Sequence, residues 1–254
     1  MDIFQAIIIG IIEGFTEFLP ISSTGHMIVA SEFLGIEQSA VVKAYEVIIQ
    51  FAAILAVILL YRDKIDIKEI VLWQKIMVAF LPLAIVGFIL KDWIKEIFVT
   101  STVAWMFIIG GIVFIIVEHF HKDEEKEVKV VEEVSWTQAI WIGLGQILSL
   151  VPGTSRAGST IITGMLAGVN RKASTEFSFL LAIPVMMAVS GYDLLKHYEE
   201  FIGADLTAFV VGFVVAFVVA YITIKLFIVF LQRFTFVAFG IYRIIFGVIL
   251  LMII

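Results

Sequence analysis

The chain of 254 residues has no cysteine, few charged residues and a shortage of basic ones. The absence of thiols rules out disulfides, thiolate metal sites and cysteine nucleophiles. Charged residues make up 16% of the chain, against about 25% in a soluble domain. Seventeen Lys and Arg against twenty-three Asp and Glu leave a net charge of −6. With no basic stripe to reverse that balance, nucleic acid is excluded as a partner. Met1-Asp2-Ile3-Phe4 has no basic n-region. The apolar run behind it is interrupted by Glu13 and Glu17 and shows no small-residue cleavage site, so a removable signal peptide is not expected. No Walker lysine pattern is present, so nucleotide binding is not indicated.

What the chain has in abundance is apolar surface. Hydrophobic residues are 61% of it, where soluble domains hold roughly 45–50%, and mean hydropathy is +1.09. A soluble fold of this size could not bury so much, so the expectation is an integral membrane protein, all-α, forming one domain over 1–254. Roughly twenty residues per span leave room for about eight to ten crossings or part-crossings. Apolar runs fall at 3–20, 45–61, 70–90, 97–117, 136–151, 157–170, 176–195, 206–230 and 236–254. Helices close their own hydrogen bonds in lipid, and the alternation of a membrane barrel is missing. The clearly polar stretch, 121–135, reads as a cytoplasmic linker between a first repeat, 1–120, and a second, 136–254.

The two halves resemble each other. Gly10-x-x-Glu13 and Pro20-Ile21-Ser22-Ser23-Thr24-Gly25 answer to Gly143-x-x-Gln146 and Pro152-Gly153-Thr154-Ser155-Arg156-Ala157-Gly158-Ser159. Arg62, Lys64, Lys68 and Lys75 put one loop in the cytoplasm with the linker. Following the chain onward then sets the second half in the opposite orientation. Inverted-topology repeats follow, with the motifs meeting near the midplane. The stretches 20–40 and 152–172 read as re-entrant or broken helices, because such backbone is tolerated only inside protein or beside a wet cavity.

Glu13 and Glu17 lie one helical turn apart, so their carboxylates share a face about 6 Å apart along the axis. Ionisable groups in a membrane helix are costly and mark function. Two adjacent carboxylates call for a shared proton or a divalent cation such as Mg²⁺ or Ca²⁺. Ser22-Ser23-Thr24-Gly25-His26 adds hydroxyls, a nucleophile and a proton carrier. The second cluster supplies backbone N–H groups at a turn into a helix, and Arg156 adds a fork for phosphate oxygens or a partner for the Glu pair. Gln50 and Gln146 serve the site or bond between helices. Glu46 and Glu176 read as helix-start residues favoured by the macrodipole, Arg243 and Lys225 as snorkelling or paired, and His119, His121 and His197 as solvated. Together acid, hydroxyl, imidazole and an Arg-bearing anion cradle suit phosphoryl transfer from a lipid-anchored phosphate. A transporter or flippase shares the inverted repeats and the buried charge.

The run Glu13-Gly14-Phe15-Thr16-Glu17-Phe18-Leu19-Pro20-Ile21-Ser22-Ser23-Thr24-Gly25-His26 resembles the first signature of the undecaprenyl pyrophosphate phosphatases, the bacitracin-resistance proteins. Pro152 to Ser159 resembles the second, with Ala157 where Ser is common and Thr154 where a bulkier residue occurs. The likeness runs on through Tyr45 to Gln50, Glu176 to Ala182 and Ala238 to Arg243. It implies a bacterial inner-membrane enzyme hydrolysing undecaprenyl diphosphate, recycling the carrier lipid for cell-wall synthesis, with a site reached from the outer face. By position, Ser23 would be the nucleophile or its near equivalent and His26 the proton donor or acceptor. Glu13 and Glu17 would hold a divalent cation or a proton. Arg156 would bind the diphosphate with Ser22, Thr24, Gln50, Gly153, Thr154, Ser155 and Ser159. Oligomeric state, a homodimer included, is left open, as is a further role in returning the lipid across the membrane.

Overall fold

A computed structural model describes residues 1–37, 39–121, 128–201 and 206–253. The charged run from Lys122 to Glu127, expected as linker, lies outside the described residues. The described residues form helices and no strand, with one parallel bridge between Val128 and Val169. In chain order the helices are α1 (Ile3–Thr16), α2 (Ser23–Phe33), α3 (Ala40–Leu60), α4 (Ile70–Ile89), α5 (Lys91–Glu96) and α6 (Thr100–Phe120). There follow α7 (Trp136–Gln146), α8 (Arg156–Leu166), α9 (Arg171–Phe201), α10 (Thr207–Phe230) and α11 (Val237–Ile253).

Among the described residues five helical stretches are long and apolar enough to cross a bilayer: Ala40–Leu60, Ile67–Ile89, Thr100–Phe120, Arg171–Glu199 and Thr207–Phe230. Twenty-one residues of helix rise about 30 Å, the thickness of the hydrocarbon core. This is a multi-pass, all-helical membrane protein. Its outward faces carry Ile85, Phe88, Val214 and Ile222, all exposed, as a lipid-facing surface requires. Helices α2 and α8 have only 11 residues each and rise about 16 Å, half that thickness.

Sequence-local chemistry sets the ends of the short helices, and it does so alike in both halves. Asp2 and Gln5 form a capping box that opens α1, and Ser135 with Gln138 forms another that opens α7. Each box satisfies two otherwise orphaned N–H groups. The spare amide of Gln5 donates to the Leu34 carbonyl at 3.1 Å, and that of Gln138 to the Ala167 carbonyl at 3.0 Å. Both acceptors are the C-caps of the following short helices, α2 and α8. Beyond them Gly35 (φ 61°) and Gly168 (φ 91°) turn the chain left-handed. Paired backbone bonds close each end: Gly35 N to Glu32 O with Ile36 N to Ser31 O, and Gly168 N to Met165 O with Val169 N to Gly164 O. This is the Schellman arrangement.

The short motif helices rest on long helices from the opposite half: α1 packs along α10, and α7 along α4. The contacts are backbone to backbone. A Cβ on Gly10 would stand 2.5 Å from the Gly212 carbonyl oxygen, and one on Gly143 would stand 2.5 Å from that of Ala79. Lipid tails are as apolar as leucine, so association in a membrane depends on such close fits. Helices α3 and α9 pack at the centre, and α6 packs on α11. Gly111 meets the Gly240 carbonyl within that last pair, so the Gly110-Gly111 step serves an internal contact.

Glu118 ties three helix ends together. It takes an ion pair from Arg171 at 2.5 Å and a hydrogen bond from the Phe236 amide at 2.9 Å. Nearby, Glu132 pairs with Lys64, and its carbonyl accepts from Lys75 at 3.1 Å. Three expectations are corrected. Glu46 and Glu176 are not helix-start residues, since α3 begins at Ala40 on a Ser39 cap and α9 begins at Arg171. Instead Glu46 accepts from Ser31 Oγ at 2.8 Å, and Glu176 faces Lys172 at 3.9 Å. His121, expected in solvent, is buried at the end of α6.

Candidate active site

The site is built where the two motif loops meet, before α2 and before α8. Ser22 and Ser155, the residues just ahead of these helices, both have positive φ, 69° and 76°. For a residue with a side chain this conformation is strained. Each strained serine is braced by the side chain four residues on. His26 Nδ1 donates to the Ser22 carbonyl at 2.7 Å, and Ser159 Oγ donates to the Ser155 carbonyl at 2.8 Å. A carbonyl only accepts, so His26 carries its proton on Nδ1, and Nε2 accepts from the Tyr242 hydroxyl at 2.6 Å.

The twist at these serines places the next residues, Ser23 and Arg156, at the first positions of α2 and α8. Both reach Glu17. Ser23 Oγ donates to Glu17 Oε2 at 2.5 Å, and Arg156 Nη2 donates to Glu17 Oε1 at 2.8 Å. The other arm of the guanidinium donates to the Ser178 carbonyl at 3.0 Å. Phe18 lies under it, 5.8 Å from Cζ. The Arg156 and Glu17 side chains are 8% and 5% exposed, so little water screens the pair and it holds the guanidinium in one place.

A cavity of about 190 Å³ opens over this triad. Glu17, Ser22, Ser23, Thr24, Gln50, Gly153, Ser155 and Arg156 line its polar side. Leu83, Phe98, Val185, Met186 and Val189 form an apolar wall. No side chain caps the first turn of α2, which leaves its N–H groups for an anion. A larger groove, about 850 Å³, adjoins the cavity and shares Thr24, Gln50 and Phe98 with it.

Glu13 lies behind Glu17, with no exposed surface and neither carboxylate oxygen hydrogen-bonded. The charges facing it are Glu17, Arg156 and Glu46. The Gln146 amide, the Thr154 hydroxyl and Arg156 Nε are likewise buried without partners. Among the described residues no cluster of three or more acids and histidines is present. Carboxylate, amide and hydroxyl oxygens left without partners are the donor class that Mg²⁺ takes, with waters and phosphate oxygens to complete its shell.

Not every candidate comes together. Ser22, Ser23, Thr24, Gln50, Gly153, Ser155 and Arg156 share the cavity with Glu17, whereas Thr154 and Ser159 do not line it. His26 lies apart: its ring stacks on Phe246 and lines an apolar groove with Phe15, Leu19 and Tyr242.

The whole chain can now be compared with known proteins. Residues 6–249 match the family described as bacitracin resistance protein BacA. The chain belongs to that family. It is 72% identical to an undecaprenyl-diphosphatase of Sulfurovum sp. (strain NBC37-1) over 253 residues, covering 100% of each chain. A second undecaprenyl-diphosphatase, from Sulfurimonas denitrificans, is 64% identical, with 99% of each chain covered. Undecaprenyl-diphosphatase 2 of Pseudoalteromonas translucida is 60% identical over 99% of this chain and 98% of its own.

Within this BacA-family fold some residues at the site had no individual signal in the sequence. Leu83, Val185, Met186 and Val189 are ordinary members of long apolar helices, Phe98 lies in the turn between α5 and α6, and Ser178 belongs to a stretch that resembles the family without being singled out by it. Tyr242 and Arg243 belong to a stretch that resembles the family, and their partners come only with the fold. Arg243, expected to snorkel or pair, does neither. It is wholly buried and donates to the carbonyls of Pro20, Met106, Phe107 and Gly153.

Proposed function

We propose that this protein hydrolyses undecaprenyl diphosphate to the monophosphate and inorganic phosphate. The observation that carries the reading is that one buried carboxylate, Glu17, holds both the Ser23 hydroxyl and the Arg156 guanidinium. The names of the relatives point to the same reaction. Glu17 accepts the Ser23 proton as Oγ attacks the terminal phosphorus. The bond from that phosphorus to the bridging oxygen breaks, and the lipid monophosphate leaves. Arg156 swings from Glu17 to the equatorial oxygens, where negative charge builds in the transition state. Water then attacks the phosphorus of the phosphoserine, the Oγ–P bond breaks, Glu17 returns its proton to Ser23 Oγ, and inorganic phosphate leaves. Glu13, with oxygens of the site, would hold a divalent cation, which supplies charge neutralisation for the phosphates when bound. Thr24, Ser155 and Gln50 orient the diphosphate. His26 serves through the Ser22 carbonyl it braces.

The paired architecture is read as two inverted repeats with α2 and α8 re-entrant. The capping boxes, the strained serines and the left-handed glycines support this, since each pair recurs 133 positions apart. The site is complete within one chain, so a homodimer is not required. The reading places the protein in the bacterial inner membrane with the cavity facing outward, where release of monophosphate would confer bacitracin resistance. Inverted repeats are also the architecture of alternating access, and return of the monophosphate inward is the second activity it favours.

The test is phosphate release from a C55 polyprenyl diphosphate by the purified protein in detergent, with and without a chelator. The expected result is release that falls with the chelator and is lost in Ser23→Ala. No release from folded protein under any divalent cation overturns the reading. Substrate-dependent movement across vesicles without release would make the protein a carrier.

A further inference from the structure

Burying a guanidinium without a carboxylate is costly unless its donors find acceptors. Arg243 is so placed, on α11, and its guanidinium donates to backbone carbonyls: Pro20 at 3.0 Å, Gly153 at 3.0 Å, Met106 at 2.8 Å and Phe107 at 3.4 Å. Phe107 and Phe114 pack on it, with Cζ 5.2 and 5.9 Å from their ring centroids. It does not line the cavity.

Two of the four acceptors carry the argument. Pro20 and Gly153 stand two residues ahead of Ser22 and Ser155, one in each motif loop. A single planar fork therefore spans both loops just before the strained serines that aim Ser23 and Arg156. We propose that Arg243 is a positioning residue for phosphoryl transfer, fixing the separation of Ser23 and Arg156 through the Pro20 and Gly153 carbonyls. The proposal rests on the phosphatase reading. Gly110 makes the space it needs, because a Cβ there would overlap Nη2 and stand 2.8 Å from Cζ. Lysine cannot replace the fork, since an ammonium on a flexible stem has no fixed plane in which to span two loops.

The experiment measures kcat and KM of purified variants on the C55 diphosphate, with thermal unfolding followed in parallel. If wild-type protein releases no phosphate, the phosphatase reading fails. With an active wild type, Arg243→Lys is expected to lose about 30- to 100-fold in kcat, the scale of a 1 Å misplacement, with KM within about threefold and cooperative unfolding kept. Gly110→Ala, which keeps the charge but displaces the guanidinium, is expected to show the same split at about tenfold. Wild-type kcat in folded Arg243→Lys, or a loss confined to KM, overturns the proposal. If Arg243→Lys does not fold, Gly110→Ala decides: unchanged kcat rejects the role. If neither folds, Arg243 is a scaffold pin and the proposal falls.

Discussion

Ser22 and Ser155 share one backbone conformation, with φ of 69° and 76°, and each hands the chain directly into a short helix whose first residue contacts Glu17. Strain at these two points aims a hydroxyl and a guanidinium at one carboxylate. Residues held in such regions cost about 1–3 kcal/mol each and persist only when their surroundings enforce them.

Glycine adopts that region freely, whereas a β-branched residue is a severe misfit there. Ser22→Gly is expected to unfold in detergent at or above the wild-type temperature, and Ser22→Val to lose about 1–3 kcal/mol of stability. Ser155→Gly should gain less, because it gives up the Ser155 Oγ bond to the Gly158 amide. Thermal melts order the variants, and a valine variant as stable as the glycine one contradicts the strain.

The bond from Ser159 to its carbonyl shows that a hydroxyl can do what His26 Nδ1 does. His26→Ser should therefore keep turnover within about tenfold of wild type, while His26→Ala, with the carbonyl unbraced, should fall by 10- to 100-fold, about 1.4–2.7 kcal/mol. A proton carrier would behave differently. Both variants would then be equally inactive and the pH profile of kcat would lose a limb.

Glu17→Gln leaves one carbonyl oxygen where two donors met, and its amide group opposes either Ser23 or Arg156. We expect kcat to drop 10²- to 10³-fold, as for loss of one preorganised electrostatic partner. Ser23→Ala and Arg156→Ala should each abolish most phosphate release in folded protein, and Arg156→Lys should not restore it. Near-normal turnover in either alanine variant would sink the assigned roles.

Outside the membrane, burial alone pushes the Glu132 carboxyl up, but the hydrogen bond and charge of Lys64 outweigh it and hold the group below its usual 4.5. A carboxylate lowered by folding stabilises the protein above its unfolded pKa, and that contribution is lost as pH falls through the folded value. The two side chains are 27% and 35% exposed, so the loss should not exceed about 1 kcal/mol. Unfolding followed from pH 6 to about 3 should show it in wild type and not in Glu132→Gln. Equal pH dependence in the two proteins rejects the pair as a contributor.

The long apolar helices, the two motif loops and a buried cation facing the Glu13–Glu17 pair were legible in the sequence, because composition, turn residues and buried charge are local signals; that Arg156 takes Glu17 and not Glu13 came only with the fold. The finer geometry was not. A φ of 69° at Ser22 leaves no trace in a run of small hydroxyl residues, so nothing in the sequence parted His26 from Ser23. Glu46 looked like a helix start because the apolar run begins beside it, while the cap that opens α3 is Ser39, on the far side of the exposed Lys43. Arg243 read as an ordinary snorkelling cation because its four acceptors come from three distant segments.

The seating of α1 on α10, and of α7 on α4, gives the two halves unequal histories during synthesis. When α7 leaves the ribosome, α4 is already made and waiting. Helix α1 emerges first, and its bed on α10 begins only at Thr207. At about 5–20 residues per second, roughly 10–40 s of translation separate them. Through that interval the nascent chain must shelter Glu13 and Glu17 without the helix that finally encloses them. A spatial correspondence between the halves thus becomes an order in time: α7 can seat on α4 as it emerges, whereas α1 finds its bed on α10 only near the end of translation.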